Sequence, residues 1–132
     1  MGKTPNIRIA VVNENSVFLD LLDDLLTKEG YEVVLCKESS TAYEIIGREK
    51  PDLVLLDIRR EHQEGGWTVL ELMKLDPATK SIPVIVTSAD TSALEEQQEN
   101  LRQLGYTILP KPFDLESLLA KISEMLGRPM PE

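Results

Sequence analysis

Pro51-Asp52-Leu53-Val54-Leu55-Leu56-Asp57 decides the fold. A strand with one wet face alternates apolar and polar side chains. An unbroken apolar run closed by a single acid instead belongs to a strand covered on both faces, as central parallel strands are. Working outward, Ile7-Arg8-Ile9-Ala10-Val11-Val12 is a second branched run, and 31–36, Pro83-Val84-Ile85-Val86-Thr87-Ser88 and Tyr106-Thr107-Ile108-Leu109 read as three more strands. Helical patterns separate them. Phe18, Leu21, Leu22, Leu25 and Leu26 repeat at i, i+3, i+4, i+7 and i+8, predicting a helix over 16–28 that Gly30 ends. Thr41-Ala42-Tyr43-Glu44 has capping-box spacing and predicts the next helix start, with Ala42, Ile45 and Ile46 inward. Residues 58–66 read as a loop before a helix carrying Val69, Leu70, Leu72 and Met73, stopped at Asp76-Pro77. Ser92-Ala93-Leu94-Glu95 opens a further helix to about residue 104, poorly striped because Gln97, Gln98 and Arg102 interrupt it. Phe113 and Leu118 flank Asp114 at staple spacing, and Leu115, Leu118, Leu119, Ile122 and Leu126 predict a last helix over 114–126. Five strand–helix units in order imply an α/β fold: a doubly wound parallel sheet with helices on both faces and right-handed crossovers.

The chain has 132 residues, enough for one domain, assigned to 1–126, with 127–132 a tail or the start of a linker. Twenty-three acids against fourteen Lys and Arg give a net charge of -9, which disfavours direct contact with nucleic acid or an anionic membrane. No apolar run reaches the ~18 residues of a membrane span. One cysteine, Cys36, and one histidine, His62, supply neither an internal disulfide nor a zinc cluster, so a reducing cytoplasm is the expected home.

Open parallel sheets bind ligands beyond the carboxyl ends of their strands. The residues there are Asn13-Glu14-Asn15, Asp57, Thr87-Ser88 and Pro110-Lys111-Pro112. Each has a plainer reading. Asp57 could cap a turn, although an acid closing a buried strand is costly without a partner. Lys111 could be a solvated turn residue, and Asn13 and Glu14 could cap the first helix. Their meeting on one rim is what suggests chemistry.

The chain resembles the receiver domain of bacterial two-component response regulators over about residues 7–126. The resemblance is carried by Ile9 to Asn15, the 51–57 run, Gly66-Trp67-Thr68-Val69-Leu70, Asp76-Pro77-Ala78-Thr79, Ile82 to Ala89 and Lys111-Pro112-Phe113. It implies a flavodoxin-like strand order of 2-1-3-4-5. It implies that Asp57 accepts a phosphoryl group from a histidine kinase or phosphotransfer protein, and that Mg²⁺ is held by Asp57, the acidic-pair positions Asn13 and Glu14, and the backbone carbonyl of Arg59. Ser88 and Lys111 would contact the phosphoryl oxygens. The resulting shift would reach the helix predicted over 92–104, the fifth strand and the helix over 114–126, where a downstream protein or output domain docks. A homodimer through that face is compatible with this reading. On it the chain is a phosphoacceptor, at most slowly dephosphorylating itself, and not an enzyme.

The physics of these roles is general. A carboxylate needs no base to attack phosphorus, and its difficulty is repulsion from an anionic donor. A divalent cation removes that repulsion, a lysine neutralises one phosphoryl oxygen and a hydroxyl donates to another. The departures from the family pattern bear on the same points. Asn13 is neutral where the family has an acid, which predicts weakened Mg²⁺ binding. Glu61 replaces a proline, the stretch to Gly66 is one residue long, and His62 in it reads as solvated. Ile108 stands where the family has Tyr or Phe, with Tyr106 two residues earlier on the same side of the strand. Ser88-Ala89 fits the family's hydroxyl–Ala step better than Thr87-Ser88. A degenerate receiver serving as a phosphorylation-independent interaction module is therefore the competing reading. A flavin protein of the same fold lacks its hydroxyl-rich phosphate loop, and an Asp-x-Asp phosphatase lacks its second acid, since Arg59 stands there.

Overall fold

The computed structural model describes residues 7–57, 63–88, 103, 106–110 and 114–126. Strands β1 (Arg8–Val12), β2 (Glu32–Cys36), β3 (Leu53–Asp57), β4 (Val84–Ser88) and β5 (Thr107–Pro110) form one parallel sheet in the order β2-β1-β3-β4-β5. Four helices accompany it among the described residues: α1 (Ser16–Lys28), α2 (Ser39–Glu49), α3 (Gln63–Leu75) and α4 (Leu115–Leu126). The helix predicted over 92–104 and the staple at Phe113 lie outside the described residues.

Alternation along the strands splits the interior in two. Ala10, Val12, Val54, Leu56, Val84 and Val86 face Ala42 and Ile46 of α2 and Val69, Leu70 and Met73 of α3. Ile9, Val11, Leu53, Leu55 and Ile85 face Leu19, Leu22 and Leu26 of α1 and Leu118 and Ile122 of α4. Leu53 to Leu56 are at most 4% exposed, so the central strand is covered on both sides, as its composition demanded.

Helix ends follow local chemistry. Gly30 adopts φ 92°, and its N–H reaches the Thr27 carbonyl at 3.0 Å while Tyr31 N–H reaches that of Leu26 at 3.1 Å. This is a Schellman closure, with Tyr31 and Leu26 packed in the same core. Lys50 takes a left-handed φ of 47° after α2 without glycine's freedom. Three expectations need correction. Thr41 does not cap α2: the helix starts at Ser39, Glu38 is the capping position, and its side chain makes no capping bond. The Thr41 hydroxyl instead donates back to the Glu38 carbonyl at 3.3 Å, satisfied from within the first turn. Residues 63–66, read as loop, are helical despite Gly65 and Gly66, because the buried stripe of α3 outweighs a weak local preference. On that helix Leu72 is 39% exposed rather than part of the stripe.

At the starting ends of the strands one residue, Arg8, ties four segments through its guanidinium and its backbone. Arg8 donates to Glu32 of β2 at 2.9 and 3.1 Å and to the carbonyl of Glu49 at the end of α2 at 2.8 Å. The Arg8 N–H donates to Asp52, just before β3, at 2.9 Å. After α3, Asp76 accepts from the Ala78 N–H at 2.9 Å and from the Tyr43 hydroxyl of α2 at 2.6 Å, while buried Thr79 donates to the Met73 carbonyl. The Asp76-Pro77-Ala78-Thr79 motif is thus a structural stop that pins α3 to α2.

The Tyr43 hydroxyl, then the Ala78 N–H, hold the Asp76 carboxyl below its ordinary range. A depressed folded value stabilises the fold above the unfolded value, and that contribution is lost as pH falls through the folded one. Tyr43→Phe is therefore expected to flatten the loss of stability between about pH 5 and 3 relative to the parent chain. Urea unfolding at both pH values checks this, and parallel losses in the two chains would contradict it.

Candidate phosphoacceptor site

The sheet's register builds the rim. Val12 pairs with Leu56, so Asn13 and Asp57 continue adjacent strands side by side. Asp57 pairs with Thr87, and Ser88 pairs with Pro110, the last residue of β5. The carboxyl end of the central strand thereby becomes the floor of a cleft lined by Asn13, Asp57 and Thr87, with Phe18, Leu22 and Leu118 among its apolar walls.

Each polar side chain there is held. Asn13, 4% exposed, donates its N–H to the Cys36 carbonyl at 3.0 Å and accepts from the Asn15 N–H at 2.8 Å. Asn15 accepts from the N–H groups of Val17 and Phe18 at 3.0 and 3.2 Å. Asn15, not Asn13 or Glu14, is therefore the cap of α1. Glu14 is exposed on the rim between them. Asp57 is half-buried, and its Oδ1 accepts from the Thr87 hydroxyl at 3.0 Å while its Oδ2 is buried.

Of the residues singled out from sequence, the structure brings Asn13 and Asp57 into one cleft and leaves Glu14 on its edge. Ser88 ends β4, but its side chain, like Lys111, Arg59 and His62, lies outside the described residues. The hydroxyl seen on Asp57 belongs to Thr87, which sequence reading passed over for Ser88. The missed signal was parity: Thr87 follows Ile85 by two, Asp57 follows Leu55 by two, and Ile85 and Leu55 share one core. Cys36 is buried beside the rim, and burial pushes its thiol up to about 11, leaving it an inert core residue at neutral pH.

Among the described residues no group of three or more His, Cys, Asp or Glu is placed to hold a metal ion. Among the described residues the rim offers the carboxylates of Asp57 and Glu14 and the amide oxygen of Asn13. That hard-oxygen set suits Mg²⁺, which takes one or two protein carboxylates and keeps several waters.

Residues 9–123 match the family model described as the response regulator receiver domain. The chain is 30% identical over 123 residues to the transcriptional regulatory protein GlrR of Escherichia coli, covering 93% of this chain and 27% of that protein. It is 32% identical over 118 residues to the response regulator PleD of Caulobacter vibrioides, covering 89% and 26%. It thus spans about a quarter of the length of these two relatives. Among solved structures it is similar to a CheY-like receiver domain protein from Methanospirillum hungatei, with a TM-score of 0.79 at 29% identity over 93% of this chain and 95% of that one.

The cap geometry generates a stability test. Asn15→Ala removes the acceptor for two orphan N–H groups and is expected to cost about 1 kcal/mol. A urea midpoint unchanged from the parent chain would contradict it.

Proposed function

This chain belongs to the response regulator receiver domains of two-component systems, and on that premise we propose that Asp57 is the phosphoacceptor, loaded by a histidine kinase or phosphotransfer protein. The observation that carries the reading is the Asp57 carboxylate itself. It sits at the carboxyl end of the fully buried central strand, held by a hydroxyl, in a cleft shared with Asn13.

A carboxylate oxygen of Asp57 attacks phosphorus in line. The bond from phosphorus to the donor imidazole nitrogen breaks, its electron pair stays on that nitrogen, and solvent supplies the proton that nitrogen gains. Asp57 becomes an acyl phosphate. Apolar walls formed by Phe18 and Leu118 keep the local dielectric low, so each charge placed on the group counts for more than in water. Lys111 is assigned one phosphoryl oxygen as a point charge and the Ser88 hydroxyl another as donor. Asp57, Glu14, Asn13 and the backbone carbonyl of Arg59 would hold Mg²⁺, which when bound supplies the charge neutralisation between carboxylate and anionic donor. In this role the chain is the kinase's substrate and not itself an enzyme. Its output passes through the segment 92–104 and α4 to a downstream protein or domain, and a homodimer on that face would serve the same end. No helix among the described residues is long and apolar enough to cross a membrane. A cytoplasmic setting, without direct nucleic-acid contact by this domain, completes the proposal.

One observation favours the competing reading, a receiver used as a phosphorylation-independent interaction module. Asn13 brings no charge, and its Oδ1 already accepts from the Asn15 N–H. Partner binding insensitive to Asp57→Asn would establish that reading.

With acetyl phosphate and Mg²⁺, intact mass should show one added phosphoryl group on the parent chain and none on Asp57→Asn. An unmodified parent chain that also fails to bind beryllofluoride would overturn the proposal. Asn13→Asp restores a charge near the cation and is expected to tighten Mg²⁺ about ten- to a thousand-fold, from a few kcal/mol at an effective dielectric of ~20. Titration calorimetry with Mg²⁺ alone reads this, and equal affinities would place residue 13 away from the ion.

A further inference from the structure

We propose that Thr87 is a positioning residue for phosphoryl transfer: its hydroxyl fixes the plane of the Asp57 carboxylate before the donor arrives. This rests on the phosphoacceptor reading of Asp57. It assigns to Thr87 a task separate from the phosphoryl contact assigned to Ser88.

Three observations carry it. Thr87 and Asp57 are direct register partners on adjacent parallel strands, so their separation is set by the sheet and not by a loop. The Thr87 hydroxyl donates to Asp57 Oδ1 at 3.0 Å. Thr87 is 6% exposed, so water competes weakly for that hydroxyl. Threonine is also stiff at χ1, because two heavy atoms branch at Cβ. A donor with restricted χ1, on a strand whose position the core fixes, can impose a direction on its acceptor.

The acceptor needs one. Asp57 stands at the last position of β3, where strand structure ends, and its side chain has two rotatable bonds. In-line attack tolerates little misplacement, and an error near 1 Å costs about a hundredfold in rate. The bond carries a price of its own, since a carboxylate oxygen that accepts a hydrogen bond is a weaker nucleophile. The proposal requires that the gain from orientation exceed this loss. That makes the sign of the effect informative.

Thr87→Val keeps the shape and removes the donor, and Thr87→Ser restores the donor without the methyl. Phosphorylation by acetyl phosphate with Mg²⁺ is followed by intact mass across donor concentrations, with urea unfolding run on every chain. Thr87→Val is expected to lower the maximal phosphorylation rate about ten- to a hundred-fold. The half-saturating donor concentration should stay unchanged, and Thr87→Ser should lie within about threefold of the parent. A folded Thr87→Val that reacts as fast as the parent, or faster, overturns the positioning role while leaving Asp57 as phosphoacceptor. So does failure of Thr87→Ser to rescue while its urea midpoint matches the parent's. If Thr87→Val unfolds, Thr87→Ser and Thr87→Ala carry the same comparison, and equal rates in the two overturn the role. A parent chain that gains no phosphoryl group overturns this inference together with the reading beneath it.

Discussion

The structure depends on one constraint: β3 must be dry on both faces and must end in an acid. Leu53 to Leu56 meet that demand by sitting between two separate cores, one built with α2 and α3 and the other with α1 and α4. A strand so placed has no freedom to slip, because a one-residue shift would exchange every side chain between the cores. Register then carries Asp57 to the sheet's carboxyl rim beside Asn13 and opposite Thr87. The Asp57 carboxylate is located by hydrophobic packing several residues away.

The same geometry separates two jobs. At the starting ends of the strands, Arg8, Glu32 and Asp52 are engaged with one another or with backbone. At the finishing ends the described polar groups Asn13, Asp57 and Thr87 line the cleft. Asp57 has a neighbouring hydroxyl, Asn13 braces the turn into α1, and Glu14 lies in solvent. The sheet thus ties its strands together at one end and gathers the described cleft residues at the other.

Most of the architecture was legible because its signals were redundant. The bounds of α1 came from an apolar stripe and a glycine stop together, and the all-apolar 53–56 run admitted only a central strand. Where one weak signal stood alone, reading failed. The Thr41 spacing imitates a capping box, yet the capping position of α2 is Glu38, three residues earlier. Gly65 and Gly66 looked like loop, but burial of Val69, Leu70 and Met73 decided the matter from further along the helix. Of the residues lining the candidate cleft, Asp57 and Asn13 were singled out by their places after apolar strands. Thr87 was hidden for another reason: choosing between adjacent hydroxyls needs the facing of β4 relative to β3, a tertiary relation that motif spacing does not encode.

The Arg8 clasp reaches beyond the domain's own cohesion. Strand β2 lies at an edge of the sheet, and an edge that frays offers unpaired backbone to any neighbouring chain. Here the first residue of that edge, Glu32, is bound through its side chain to Arg8 and through its N–H to the Ile7 carbonyl at 2.8 Å. Peeling it away breaks a charged fork as well as a ladder bond. The clasp therefore guards against self-templated aggregation at the margin where a parallel sheet is most vulnerable.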